Sequence, residues 1–143
     1  MRFAEIVGSE GHVFAVDIDQ DFLEFIKKSA KEKGLGNVET VVAAKDAAVL
    51  PENSLDLIFI RNVCHHLPDR PEYFKKLKVA LKPEGRIAVV EYREGGFSFH
   101  MLFGHYVPKE TIIKEMKQVG YQLEKDLDLL PEQSFTVFHV KQA

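Results

Sequence analysis

An α/β fold is predicted, a mostly parallel sheet with helices on both faces and a C-terminal antiparallel hairpin. Apolar, strand-like runs alternate with amphipathic stretches through most of the chain. Glycines stand where several amphipathic stretches give out: Gly8, Gly34 and Gly120. The last two strand-like runs are joined by the short link Pro131-Glu132-Gln133. A chain of 143 residues makes about one ordinary domain, so residues 1–143 are read as a single one.

The elements follow in order. Residues 1–7 pattern as the last turns of a helix, with Phe3, Ile6 and Val7 on one face and Gly8 as its stop. His12 to Asp17 is a buried strand. Asp19 caps a helix running to about Lys33, whose stripe is Phe22, Leu23, Ile26 and Ala30. Val38 to Ala44 is the second strand, parallel to the first because a helix connects them. Leu55 to Ile60 is the third, and Asn62 to Leu67 a short helical turn. Asp69 and Pro71 open a helix that buries Phe74, Leu77 and Leu81. Lys82-Pro83-Glu84-Gly85 is a turn before a fourth strand, Arg86 to Tyr92. Residues 93–106 are glycine-rich and apolar, the pattern of a lid. Phe97, Phe99, Phe103 and Tyr106 in it either wall a pocket or seal the core. Pro108 opens the last helix, with Ile112, Ile113, Met116 and Val119 as its stripe. Strands from Tyr121 to Leu129 and from Ser134 to Lys141 finish the chain.

Composition excludes several functions. Nineteen basic and twenty-two acidic residues give a net charge of −3, which argues against a phosphate-backbone binder. A single cysteine excludes an internal disulfide and a cysteine-built zinc site. No apolar run approaches the roughly 20 residues of a membrane span. The first residues are too acidic for a secretory signal, so a cytoplasmic location is expected.

In open α/β sheets, ligands sit beyond the carboxyl ends of the strands. Asp17 ends the first strand, where one carboxylate matches two adjacent ribose hydroxyls; the competing reading makes Asp17 and Asp19 helix caps. Asp46 follows the second strand, and it either accepts from an exocyclic amine or shapes a turn. Arg61 and Asn62 end the third strand, and Asn62 equally suits a cap. His65 and His66, adjacent on a helical turn, point about 100° apart, which is poor for chelating one metal. No metal site is expected. Cys64 reads as a small core residue rather than a nucleophile.

Taken together, several stretches resemble class I S-adenosylmethionine-dependent methyltransferases, most closely the small-molecule group that includes ubiquinone- and menaquinone-biosynthesis enzymes. They are Gly11 to Asp19; Asp46-Ala47 with Leu50-Pro51; Ser54 to Phe59; Val63-Cys64-His65-His66-Leu67; and Leu81 to Arg86. The resemblance spans about Ala4 to Val140 and implies a Rossmann-like fold with S-adenosylmethionine as cofactor and a small-molecule substrate. By it, Asp17 holds the ribose, Ile18 packs on adenine and Asp46 accepts from the adenine amine with Ala47 beside it. Arg61 and Asn62 lie near the methionine moiety. No catalytic residue is assigned, because alignment and proximity carry much of such a transfer. His65 or His66 would serve only where the acceptor must lose a proton.

The family's first strand and its glycine-rich loop have no counterpart in the sequence; Gly34-Leu35-Gly36 lies between a helix and a strand instead. An N-terminally truncated form of the fold is therefore expected, with weak or absent cofactor binding. The gap leaves three outcomes: the first strand pairs directly with the third, a second chain covers the opening as a homodimer, or the chain is a fragment. The ten-residue connection 45–54 favours the first. The alternative function is a non-enzymatic module acting through dimerisation or partner binding. A nicotinamide-dinucleotide oxidoreductase shares only the ribose acid.

Overall fold

The computed structural model describes residues 1–44, 47–93 and 106–141. It falls into two compact units, Met1–Val49 and Leu50–Ala143. The lid reading of residues 93–106, apart from Arg93 and Tyr106, lies outside the described residues, as does Asp46.

The first unit is a strand–helix–strand preceded by a short helix. Helix α1 (Arg2–Val7) stops at Gly8, whose φ of 72° disfavours any side chain. Strand β1 (Val13–Asp17) pairs in parallel with β2 (Val38–Val42), from Val13 opposite Val38 to Asp17 opposite Val42. Between them runs helix α2 (Gln20–Glu32). The Asp19 carboxylate caps it, accepting from the N–H groups of Asp21 and Phe22 at 2.9 and 3.2 Å. The Asn37 side-chain amide donates to the carbonyls of Ala4 and Gly8, at 2.9 and 2.8 Å, and so ties α1 to the start of β2. Ala4, Leu23 and Ala30 are the buried side chains of this unit. The predicted stripe of α2 is corrected at Phe22, which is exposed. Leu23, Ile26 and Ala30 follow the three-to-four-residue period that faces the sheet. Phe22 lies off it, beside Phe25, their ring centroids 6.4 Å apart.

The second unit carries a four-stranded sheet in the order β3-β4-β6-β5. Strand β3 (Leu55–Arg61) runs parallel to β4 (Leu81–Tyr92). Strand β6 (Gln133–Val140) is antiparallel to both β4 and β5 (Tyr121–Leu127), which forms the expected terminal hairpin. A 3-10 turn (Cys64–His66) and helix α3 (Arg70–Leu77) cross from β3 to β4. Asp69 caps α3 by accepting from the Glu72 N–H at 3.1 Å. Helix α4 (Lys109–Gln118) precedes the hairpin, and Gly120 turns the chain with φ 87°. Phe74, Ile87, Ile112, Met116 and Phe138 are wholly or almost wholly buried and make the core. The Tyr121 hydroxyl donates to the Phe74 carbonyl at 3.0 Å inside it.

Two expectations change. Lys82 to Gly85 is not a free turn but a bulge within β4: Leu55 faces Leu81 while Leu57 already faces Arg86. Gly85 is required there, since a Cβ would lie 2.7 Å from the Leu55 carbonyl oxygen. The direct pairing of β1 with β3 is not formed. The two strands belong to separate sheets, and each is an edge of its own.

Candidate cofactor and transfer site

In the first unit, Asp17 stands at the carboxyl end of β1, half-buried. Its Oδ1 accepts the Asp19 backbone N–H at 3.0 Å, while the Asp19 side chain caps α2. The two aspartates therefore divide the roles the sequence left open, Asp19 as cap and Asp17 as a carboxylate pinned by one oxygen. The donor set suits a diol, because a carboxylate held by Oδ1 retains acceptor capacity on Oδ2. Ile18, next in the chain, leaves 58% of its surface exposed and offers an apolar face beside that acid. Ala47 makes an isolated antiparallel bridge with Ala44.

In the second unit the chain leaves β3 through Asn62, whose φ of 54° is left-handed, a conformation asparagine tolerates better than most residues. Its N–H still donates to the Val90 carbonyl at 2.9 Å, extending the ladder past the strand. Asn62 does not cap the turn that follows. Its side-chain carbonyl instead accepts from the Gln133 amide at 2.6 Å, and the Arg61 guanidinium donates to the other end of that amide at 3.3 Å. Arg93 donates to the Gln133 backbone carbonyl at 2.9 Å. Gln133 is thus a buried hub that orients both predicted residues. The sequence held no local sign of it, because its partners lie 71 and 72 positions away.

Beside this hub lies a second group that was missed. Glu91, near the end of β4, is 0% exposed. Its Oε1 accepts from the Tyr92 N–H at 3.0 Å and lies 3.1 Å from Nδ1 of His65, which is itself almost wholly buried. Its Oε2 is buried with no hydrogen-bond partner among the described residues. A signal for it existed: an acid following Val89 and Val90 at the carboxyl end of an apolar strand repeats the logic that singled out Asp17. His66 stacks against His65 with ring centroids 4.1 Å apart. Cys64 is wholly buried, as predicted for a core residue. Desolvation, with the Glu91 charge adding to it, pushes its thiol up to about 12, which excludes a thiolate nucleophile near neutral pH. Arg70 on α3 holds Glu115 on α4 through two hydrogen bonds of 2.7 and 2.8 Å. That carboxylate keeps the guanidinium pKa above its ordinary value. Among the described residues, no cluster of three metal-ligating side chains occurs, and no helix is long and apolar enough to cross a membrane.

Parallel strand pairs β1–β2 and β3–β4, each joined through helical crossovers, make the fold Rossmann-like. A family model described as a methyltransferase domain matches residues 1–135, and the chain belongs to that family, the class I S-adenosylmethionine-dependent methyltransferases. It is 28% identical over 145 residues to the ubiquinone/menaquinone biosynthesis C-methyltransferase UbiE of Serratia proteamaculans, an alignment covering 92% of this chain and 55% of that one. The chain thus spans about half the length of the curated relatives it matches. Its fold is similar to that of a SAM-dependent methyltransferase from Aquifex aeolicus, with TM-score 0.89 and 18% identity, covering 97% of this chain and 74% of that one. It also resembles the [4+2]-cyclase SpnF, with TM-score 0.82 and 10% identity, covering 99% and 70% of the two chains. At such identities these structures speak for the fold alone.

Proposed function

We propose that the chain binds S-adenosylmethionine and transfers its methyl group to a small-molecule acceptor, with residues 1–143 acting as a single domain. One observation carries the reading: a carboxylate held by one oxygen at the end of a parallel strand, in a chain whose family match runs over residues 1–135. Asp17 takes the ribose diol and Ile18 covers the adenine. Asp46 receives the adenine amine with Ala47 beside it. Arg61 and Asn62, oriented by Gln133, serve the methionine carboxylate and ammonium groups; a guanidinium donates to the first and an amide carbonyl accepts from the second. The cofactor, when bound, supplies an electrophilic methyl on a sulfonium. The similarity to a quinone-biosynthesis C-methyltransferase favours an aromatic acceptor.

Titration calorimetry with S-adenosylhomocysteine tests the site. Asp17→Ala removes two charge-assisted hydrogen bonds, each worth about 1.5–3 kcal/mol, so affinity is expected to fall at least tenfold. Binding that ignores the substitution would place the nucleotide elsewhere.

The edge strand β3 favours a second reading, a module that pairs with another chain. Leu57 and Phe59 on that strand are both substantially exposed. Sedimentation velocity separates the two: a concentration-dependent dimer weakened by Phe59→Lys supports pairing, and a monomer at all concentrations removes it.

A further inference from the structure

Resting on the methyl-transfer reading above, we propose that Gln133 is a positioning residue of the transfer site. Its single amide sets a donor and an acceptor side by side, the pattern that recognises the zwitterionic amino-acid end of the cofactor. The direction of its hydrogen bonds follows from one partner. A guanidinium carries N–H donors and no acceptor. Arg61 therefore fixes Oε1 of Gln133 on its own side, at 3.3 Å. Nε2 of the same amide then points the other way, and it donates to Oδ1 of Asn62 at 2.6 Å. Asn62 in turn is held with its carbonyl, not its NH₂ group, toward the hub. An amide oxygen has two lone pairs, so Oδ1 keeps one after Gln133 has taken the other. Arg61 is exposed and Asn62 half-buried, so both reach solvent at the carboxyl end of β3. An α-amino acid carries its carboxylate and ammonium on one carbon, and the guanidinium and Oδ1 answer that pair.

Tying strands together does not account for the relay. The ladder already joins β3 to β4 and β4 to β6, and the Asn62 N–H extends it to the Val90 carbonyl at 2.9 Å. Nor does Asn62 cap the turn it precedes, although it holds a left-handed φ of 54°. A side chain persists in that conformation only where its surroundings hold it, and such positions cluster at functional sites. Gln133 is 6% exposed and anchored along the backbone. The Arg93 N–H donates to the Glu132 carbonyl and its Nε to the Gln133 carbonyl, each at 2.9 Å. The Ser134 hydroxyl donates to the Glu91 carbonyl at 3.2 Å. A buried amide with both ends committed cannot turn over without setting a donor against Arg61. The polarity that Arg61 and Asn62 present is thus set from β6, two strands away.

Titration calorimetry with two ligands tests the role. S-adenosylhomocysteine carries the amino-acid end, and methylthioadenosine has the same nucleoside and thioether sulfur without it. The wild-type chain is expected to prefer the first. Gln133→Met keeps the length of the side chain but neither hydrogen bond. It is expected to lower S-adenosylhomocysteine affinity about tenfold, the scale of one hydrogen bond to a charged group, and to leave methylthioadenosine within about twofold. Gln133→Glu still accepts from Arg61 but has no donor for Asn62, and it sets a negative charge near the ligand carboxylate, so a larger selective loss is expected. A role in stability alone would weaken both ligands together or neither. Asn62→Gly suits the left-handed backbone and decides the matter where a Gln133 variant does not fold; the same selective loss is expected from it, and its absence there overturns the proposal. So do equal losses for both ligands, unchanged affinities in the Gln133 variants, or a wild-type chain that binds both ligands equally well, each of which leaves the nucleotide reading standing. A wild-type chain that binds neither ligand overturns the methyl-transfer reading and the proposal with it.

Discussion

The two units share strand–helix–strand elements yet close their cores differently. Residues 50–143 bury Phe74, Ile87, Ile112, Met116 and Phe138 under a sheet that mixes parallel and antiparallel strands. Among their described residues, positions 1–49 bury only Ala4, Leu23 and Ala30, and every residue of β1 is half-buried. Large apolar side chains stand exposed there, among them Ile6 at 79%, Phe25 at 65% and Phe22 at 55%. The difference follows from sheet physics. A parallel strand is apolar on both faces and needs cover on both, and two strands with one crossover helix supply one layer. The antiparallel hairpin β5–β6 gives the second unit two more strands for a short connection, enough to pack α3 and α4 against a filled interior. The acid proposed to take the ribose, Asp17, therefore sits on the less buried scaffold, and the His65–Glu91 pair on the firmer one.

Core truncations sharpen that contrast most. Phe74→Ala, at a wholly buried site, is expected to cost about 3–5 kcal/mol by urea denaturation. Leu23→Ala is expected to cost about 2 kcal/mol, the low end of such changes, because its surroundings are sparse and free to relax. Hydrogen exchange read by peptide shows where each loss falls. Leu23→Ala is expected to speed exchange in β1 and β2 while leaving β4 and β6 unchanged. Equal acceleration in both sets of strands would erase the contrast and make the chain one cooperative body.

The same contrast explains what the sequence made legible. Most strands and helices within the described residues were readable from period and punctuation, because Asp19, Asp69, Gly8, Gly34 and Gly120 mark ends with local chemistry; the start of β4 was not, since Leu81, read as the buried end of α3, opens that strand instead. Asp17, Asn62 and Cys64 could be singled out from position alone. What was missed depends on distant pairing. Gln133 orients Arg61 and Asn62 only because β6 lies against β4, and Glu91 acquires its partner only because the turn after β3 brings His65 over the end of β4. The exposure of Phe22 escaped for a related reason. Helical period predicts a stripe, but the width of the stripe that is covered depends on how much sheet lies beneath it.

The smallest expected effect separates scaffold from site at neighbouring residues. Asp19 accepts two backbone N–H groups at the start of α2, where Asp69 accepts one at the start of α3. Losing a cap costs about 1 kcal/mol, so Asp19→Ala and Asp69→Ala are each expected to lower stability by about that much, Asp19→Ala slightly more. The contact that holds Asp17 uses the backbone N–H of residue 19, which alanine retains. Asp19→Ala is therefore expected to destabilise the first unit yet leave S-adenosylhomocysteine affinity within a few-fold of wild type in calorimetry at 10 °C. A loss as large as that of Asp17→Ala would mean that the helix cap and the ribose anchor act as one device rather than two.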